Sequence, residues 1–435
     1  MLSIIGLVVI LTIVTLLITK KLNPIVALVV IPFIGAIVAG FGLEQITEFF
    51  NDGISSVLSV VVMFIFAILF FGIMQDTGLF NPIINRMVKL SRGNVILVAM
   101  ATVIIGAMAH LDGSGASTFL ITIPALLPLY KRLNMSPYLL VMLIGLSASI
   151  MNMVPWGGPL GRTAAVINAD PSELWQPLIP LQGVLIILLI SMAALLGYLE
   201  QVRLKKKGLI VAARTEDMNV SAEKDEKAAD LERPKLLWFN LLLTLVVVGS
   251  LMWGALPAGM IFMLAVSIGL PVNYRSVDLQ MDRIKAHAPS ALMMAAIILA
   301  AGSFLGILGN SGMLDALAED IIHILPAFVV PYLHYIIGIL GAPFELILNT
   351  DAYYFALMPL VEQIVTSYGV DSIQAAYAMM IGNIIGTFIS PFSPALWLAV
   401  GLAGIEMGRY IKYAFFWVWG FSLIAMLAAY LMGII

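Results

Sequence analysis

A chain of 435 residues that is 61% hydrophobic and only 11% charged, with a mean hydropathy of +1.05, has far too much apolar surface for a soluble fold. It reads as an all-α polytopic membrane protein. With no cysteine, disulfides and thiolate metal centres are excluded. The net charge of −3 and the four histidines come with no phosphate loop, no nucleophile–His–acid set and no zinc spacing. An enzyme of soluble type and a nucleic-acid partner are therefore not expected.

In chain order, apolar runs near 2–19, 24–42, 57–75, 138–168, 177–199, 237–254, 255–271, 289–309, 372–404 and 411–433 are each long enough to cross a bilayer core of about 30 Å. The first lacks a basic start and a small-residue cleavage site, and reads as a retained span. Two further pairs of apolar arms, 93–109 with 119–130 and 324–342 with 352–361, read as hairpins that enter and leave on one side. The Lys and Arg residues test this arrangement. With the N-terminus outside, Lys20, Lys21, Arg86, Lys89, Arg92, Lys131 and Arg132 fall inside. So do the nine basic residues of the loop 200–236, and Arg275, Arg283, Lys285, Arg409 and Lys412. Outer loops carry Glu44, Glu48, Asp52, Asp170, Glu173, Asp315, Glu319, Asp320, Glu362 and Asp371 instead. Basic residues are retained on the cytoplasmic side during insertion, so the segregation supports the assignment and puts both termini outside. The charged stretch within 200–236 reads as a solvated cytoplasmic tether.

Residues 71–81, "FGIMQDTGLFN", resemble 305–315, "LGILGNSGMLD". Gly72 answers Gly306, Thr77 answers Ser311, Gly78 answers Gly312, and the Pro128 and Pro155 regions answer those of Pro359 and Pro391. An odd number of crossings separates equivalent points. The expectation is thus two inverted five-span halves, each with a re-entrant hairpin and a broken helix, with substrate held at their interface near mid-membrane.

The chemistry gathers at four interruptions: "HLDGSGAST", "GAPFELILNTDAYYF", "NMVPWGGPLGRTA" and "GNIIGTFISPFSPA". Gly and Pro there release backbone groups that must be buried in protein or line a wet cavity. Half-helix N-termini suit carboxylates and freed carbonyls suit cations. Arg162 is the one basic residue inside a span. At mid-depth it costs at least about 2.5–3.5 kcal/mol and needs a partner. Its fork suits a substrate carboxylate, and a fixed pair with Asp112, Asp351 or Glu345 is the structural alternative. Asp112 and Asp351, one on each tip, read either as ligands for a divalent cation or a coupled proton, or as turn caps. His110 reads as a proton relay or a structural donor. Ser114, Ser117, Thr118, Asn152, Asn383, Thr387 and Ser390 are candidate substrate contacts. Tyr353, Tyr354 and Trp156 either line the cavity or simply pack.

The runs "LDGSG", "TIPALLPLYKRL", "MNMVPWGGPLGR", "NTDAYYF" and "LAVGLAGIEMG" resemble the citrate–divalent-metal/proton symporter (CitMHS) family of bacteria, within the ion transporter superfamily. The resemblance spans essentially the whole chain. It implies import of citrate, complexed with a divalent cation such as Mg or Ca, together with protons or sodium, across the bacterial cytoplasmic membrane. Similarity to the divalent-anion/sodium symporters implies an elevator-type architecture, with a static scaffold that forms a homodimer and a mobile transport domain. The scaffold would be 1–92 and 237–322, the linker 200–236, and the transport domain 93–199 and 323–435. Within the latter lie hairpins 93–132 and 323–362 and broken helices 138–168 and 372–404. By the same resemblance, Ser117-Thr118 and Asn349-Thr350 form the tips, and Gly115, Pro155, Gly157, Gly158, Asn383 and Pro391 complete the site. The family pattern implies a second acid where this chain has Ser114, which leaves the metal open. Proton- or sodium-coupled carriage of another carboxylate (a dicarboxylate, tricarboxylate or gluconate) is the rival within the class. An intramembrane aspartyl hydrolase built on Asp112 and Asp351 is the rival outside it, and a cation antiporter is disfavoured by Arg162.

Overall fold

In a computed structural model, residues 1–19, 21–82, 86, 93–207, 230–254 and 256–435 are described, and every regular element among them is helical. The expected basic residues Lys20, Lys89, Arg92, Arg214, Lys224 and Lys227, and the tether 208–229, lie outside the described residues.

The first half comprises α1 (Leu2–Ile18), α2 (Pro24–Val38), α3 (Leu43–Asp76), α4 (Val95–Ala109), α5 (Gly115–Arg132), α6 (Pro137–Met151), α7 (Gly158–Val166), α8 (Pro171–Trp175) and α9 (Leu178–Lys206). The second comprises α10 (Leu237–Trp253), α11 (Ala258–Asn273), α12 (Val277–Asn310), α13 (Met313–Ile324), α14 (Leu333–Ile339), α15 (Gly341–Phe344), α16 (Met358–Thr366), α17 (Ser372–Ile384), α18 (Pro394–Ala403) and α19 (Met407–Leu431). Many starts are written locally. Asn23, Asp170 and Ser393 precede a proline at the first helical position, and each accepts a hydrogen bond from a backbone N–H of the first turn. This satisfies donors that the helix cannot.

The strongest packing in the molecule is between α3 and α12. Each is 34 residues long, and their boundaries are offset by 234 positions. Each is followed by a glycine with positive φ, Gly78 (75°) and Gly312 (72°). The two helices run antiparallel, with backbone against backbone. A Cβ on Gly302 would sit 2.6 Å from the Gly53 carbonyl oxygen, and one on Gly306 would sit 2.8 Å from the Gly53 Cα. At the other end of the pair, Gly72 faces the His287 ring. Gly53 and Gly306 thus touch at one end, and their counterparts 234 residues away, His287 and Gly72, touch at the other. Asn310 donates to Asp52 Oδ2 (3.2 Å) near the first crossing. Asp76 Oδ2 receives His287 Nε2 (2.8 Å) and Arg283 Nη1 (3.4 Å) near the second.

These two helices correct the expected spans. At about 1.5 Å per residue each is about 51 Å long, well beyond the hydrocarbon core. Glu44, Glu48 and Asp52 therefore ride on the first turns of α3, and Arg283 and Lys285 on those of α12, not in loops. A helix projecting into water carries charge at no desolvation cost, so charge marked the membrane boundary and not the helix end. Asp315, Glu319 and Asp320 likewise belong to α13 and not to a loop. That helix buries Met313, Leu314, Leu317 and Ala318 while its acids stay exposed. The apolar run 324–342 is divided into a turn at Val330–Tyr332 and the short helices α14 and α15.

The two broken spans are broken as expected, at 152–157 between α6 and α7 and at 385–393 between α17 and α18. Hairpin α4–α5 packs on α6 and α9, and α14 and α15 pack on α17. Replacing Gly302 or Gly306 by leucine should destabilise the protein by about 1–3 kcal/mol or more through overpacking. Gly309→Ala, at a glycine with nothing within 4 Å, should leave the thermal midpoint of the detergent-solubilised protein level or higher.

Candidate substrate site

The first tip is built by competing local geometries. After α4, residues His110–Asp112 tighten into a 3₁₀ turn, Gly113 takes φ 71°, and Ser114 caps α5 by accepting from Ser117 N. The tip is held at the break of α6. His110 pairs through Nδ1 with Thr118 Oγ1 (2.7 Å) and through Nε2 with Asn152 Oδ1 (2.8 Å). Trp156 Nε1 donates to the Leu111 carbonyl (2.7 Å). The break starts after only 15 residues of α6, and the nine residues of α7 continue beyond it. The tip therefore sits part-way along the span.

The break itself, "NMVPWGG", turns through bonds from Met153 to Ile150, Val154 to Met151 and Gly157 to Val154. Gly157 admits no side chain, because a Cβ would overlap the Asn152 carbonyl, and a Cβ on Gly158 would lie 2.8 Å from Arg162 Nη1. Pro155, Gly157 and Gly158 are all buried. They start α7 and direct Arg162 across the molecule, where its Nε (2.9 Å) and Nη2 (2.8 Å) both reach Asp351 Oδ1. Its guanidinium also lies 5.9 Å from the centre of the Phe355 ring. Of the three acids open as partners for Arg162, packing selects Asp351.

Asp351 sits on the second tip, where Asn349 Oδ1 accepts from Ala352 N (2.8 Å). A short π-helical segment, Tyr353–Leu357, follows. Such bulges recur at functional positions because they redirect side chains within a helix. The second tip is held at the second break, where Asn383 Nδ2 donates to the Gly341 carbonyl (3.1 Å). Phe388, in that break, reaches the first tip. Its ring lies 5.8 Å from His110 and 5.2 Å from Phe119, and it packs under Gly115.

The four interruptions therefore meet, two through the Arg162–Asp351 pair and two through Phe388. Half-buried Ser114, Gly115, Ser117, Asn349, Thr350, Asp351, Thr387 and Pro391 lie around this junction, while Thr118, Asn152, Asn383 and Ser390 are buried. Asp112 and Asp351 have separate partners: Asp112 Oδ1 accepts from Ser114 N (2.9 Å), and Asp351 is held by Arg162. Among the described residues no three His, Asp or Glu side chains converge to hold a metal ion. Thr387 donates to the Ile384 carbonyl (2.7 Å), and Pro391 O accepts from Trp397 Nε1 (2.9 Å). Trp156 stacks on Phe71, with ring centres 4.8 Å apart, and Tyr353 donates to the Met379 carbonyl (3.0 Å). Both are packing residues. The role of Phe388 carried no sequence signal. Glu345 was visible as an acid in an apolar arm, but its isolation was not.

The helical fold, the seven described helices long and apolar enough to cross a membrane and this polar junction define an integral membrane transporter rather than an enzyme. The chain belongs to the CitMHS citrate transporter family, whose pattern matches residues 5–382. It is 37% identical to the "Citrate transporter" of Bacillus subtilis (strain 168), over 100% of both chains. It is 36% identical to the "Mg(2+)/citrate complex secondary transporter" of the same organism, over 96% of this chain and 95% of that one. Among solved structures, the Alcanivorax borkumensis YdaH transporter shares the fold, with a TM-score of 0.58, 17% identity and coverage of 88% of this chain and 86% of that one.

Asp351→Asn and Arg162→Gln each strip a largely buried charge of its ion-pair partner. Each should cost about 3–5 kcal/mol, while the charge-free double variant should cost clearly less than the sum. A thermal double-mutant cycle on the solubilised protein measures this.

Proposed function

We propose that this protein is a secondary active transporter of the bacterial cytoplasmic membrane that imports citrate as a complex with a divalent cation, in symport with protons. One observation carries the reading: a basic and an acidic group, Arg162 and Asp351, face each other where four helix interruptions meet. Such a mixed-sign centre suits a mixed-sign cargo. One citrate carboxylate would take the Arg162 fork, and helix N-termini at Gly115, Gly158 and Pro394 would face its remaining negative charge. The divalent ion is cargo, shared between citrate and the oxygens of Asp112, Ser114 and Asp351. Serine 114 weakens the protein's share of that ion, so citrate itself supplies most of the chelation. Ser117, Thr118, Asn152, Asn349, Thr350, Thr387 and the backbone at Pro155, Gly157 and Pro391 form the polar lining in this reading, with the buried Asn383 and Ser390 behind it and His110 as a structural bridge.

The membrane potential gives the cation its purpose. Moving one charge through 100 mV costs about 2.3 kcal/mol, so bare trivalent citrate entering a negative interior would face about three times that. Chelation of one divalent cation leaves a single negative charge, which one or two protons offset.

In the proposed architecture two inverted halves form a scaffold (1–92 and 237–322), which dimerises, and an elevator-type transport domain (93–199 and 323–435) joined by the cytoplasmic linker 200–236. Both hairpins are re-entrant and both termini lie outside. The reciprocal contacts of α3 and α12 support the inversion. An antiparallel pair exchanged by a 234-residue shift has its two-fold axis perpendicular to the helices, and so in the membrane plane.

In proteoliposomes loaded at neutral pH, labelled citrate should accumulate only when magnesium, calcium or zinc is added outside, and faster with an inward proton gradient. Metal-independent uptake sinks the complex, and absence of citrate uptake sinks the substrate. The folded Arg162→Gln/Asp351→Asn double variant should show no uptake in the same assay; transport at the wild-type rate would reduce the pair to a scaffold contact.

A further inference from the structure

Glu345 is the strangest carboxylate in the molecule. It closes α15 just before the second tip, is 1% exposed, and neither of its oxygens has a hydrogen-bond partner. The basic group in reach, Arg162, is already held by Asp351. Facing the carboxyl from the second break are Asn383 and Ser390, 0% and 1% exposed. Both also lack partners, at Asn383 Oδ1 and Ser390 Oγ. The Asn383 amide nitrogen donates one of its two hydrogens to the Gly341 carbonyl, while its oxygen is left without a donor. Four unpartnered polar atoms thus converge from two interruptions, and the Tyr354 hydroxyl, near Glu345, is likewise without a partner. A buried polar atom without a partner is rare, and a buried unpaired anion is rarer still.

A single proton completes this set. A neutral carboxylic acid has one O–H donor and one carbonyl acceptor, matching an amide oxygen that needs a donor and a hydroxyl that needs an acceptor. We propose that Glu345 is the proton-carrying group of the transport cycle, its O–H donating to Asn383 Oδ1 and its carbonyl oxygen accepting from Ser390 Oγ while cargo is bound. In each cycle the Glu345 O–H bond forms with a proton taken from water on one side and breaks by returning it to water on the other. Pro391, Phe392 and Ser393, next to Ser390, are half-buried, so the segment that carries Ser390 is in part open to water.

Coupling follows from the neighbours. The groups facing Glu345 are the Arg162–Asp351 pair, together with Tyr353 and Tyr354 of the π-helical segment. Among the described residues α14, α17 and α19, packed on α15, bring no further charge to it. With Glu345 ionised, Arg162 sits beside two carboxylates and has little positive field left for an anion. With Glu345 neutral, that field is restored. Proton and anionic cargo therefore favour each other's binding, and by linkage the effect is reciprocal.

This inference rests on the proton-symport reading, and the experiment separates the two. The full-length protein is reconstituted as wild type and as Glu345→Gln, which mimics the neutral acid in shape. Magnesium–citrate uptake driven by a proton gradient and citrate–citrate counterflow are then compared, with infrared spectra of the same samples. The variant is expected to lose gradient-driven accumulation, to keep counterflow now independent of pH, and to lose a protonated-carboxyl band present in wild type. Accumulation retained by the variant, an unchanged band, or loss of counterflow in a variant that remains monodisperse would each overturn the assignment. A wild type indifferent to the gradient would overturn the symport reading itself, before any variant is compared. Should Glu345→Gln fail to fold, Ser390→Ala serves instead. Removing a hydroxyl that donates to the carboxylate raises its proton affinity, so the pH profile of uptake should shift to higher pH. An unmoved profile counts against Glu345.

Discussion

Hydrocarbon offers a backbone amide nothing to bond to, and the rest of this structure depends on how four departures from helix are made tolerable inside it. Each departure is closed by another. The first tip is closed by the first break, through His110–Asn152 and Trp156–Leu111, and the second tip by the second break, through Asn383–Gly341. Local turns absorb much of what remains: Ser114 caps α5, Ser393 caps α18, and Thr387 returns its hydroxyl to the Ile384 carbonyl. None of these interruptions would be stable alone at that depth. The polar junction is thus a consequence of mutual satisfaction, and the atoms left over there, at Glu345, Asn383, Ser390 and Tyr354, stand out because they lie together.

The Arg162–Asp351 pair adds a second constraint, because its partners are 189 positions apart in sequence. It fastens a helix of the first half to a tip of the second. Two guanidinium nitrogens share one carboxylate oxygen, so the contact is strong but leaves the fork less than fully used. A fork–fork match to a carboxylate uses both oxygens, which is the geometry a freely approaching substrate group can adopt and a tethered aspartate here does not.

Much of this was legible in the sequence, for reasons that differ by element. Glycine and proline inside apolar runs have few meanings in a membrane, so both hairpins and both breaks could be located from "LDGSG", "VPWGG", "ELILNTD" and "SPFSP". The repeat around Gly72 and Gly306 marked two helices whose boundaries turned out to be offset by the same 234 residues. The lengths of those helices were not legible, since Glu44, Glu48 and Asp52 look the same on a projecting helix as in a loop. Nor was the identity of Arg162's partner, with three acids equally placed by depth and only packing to choose among them. Phe388 and the isolation of Glu345 belong to the same category: one depends on which distant side chains arrive and the other on which do not, and no local pattern encodes either.

The glycine crossing of α3 and α12 has a mechanical meaning. Where Gly53 lies against Gly302 and Gly306, backbone meets backbone, flanked by the Val57 methyl that packs on Gly302, so little can repack to let them slide. Rotamer changes, which lubricate ordinary helix interfaces, are scarce there. The two longest helices of the fold are thereby locked into a single strut that spans the membrane with length to spare at both ends. Any displacement of the tips has to be taken up by thinner, kinked or interrupted pieces elsewhere, and is measured against this one ruler.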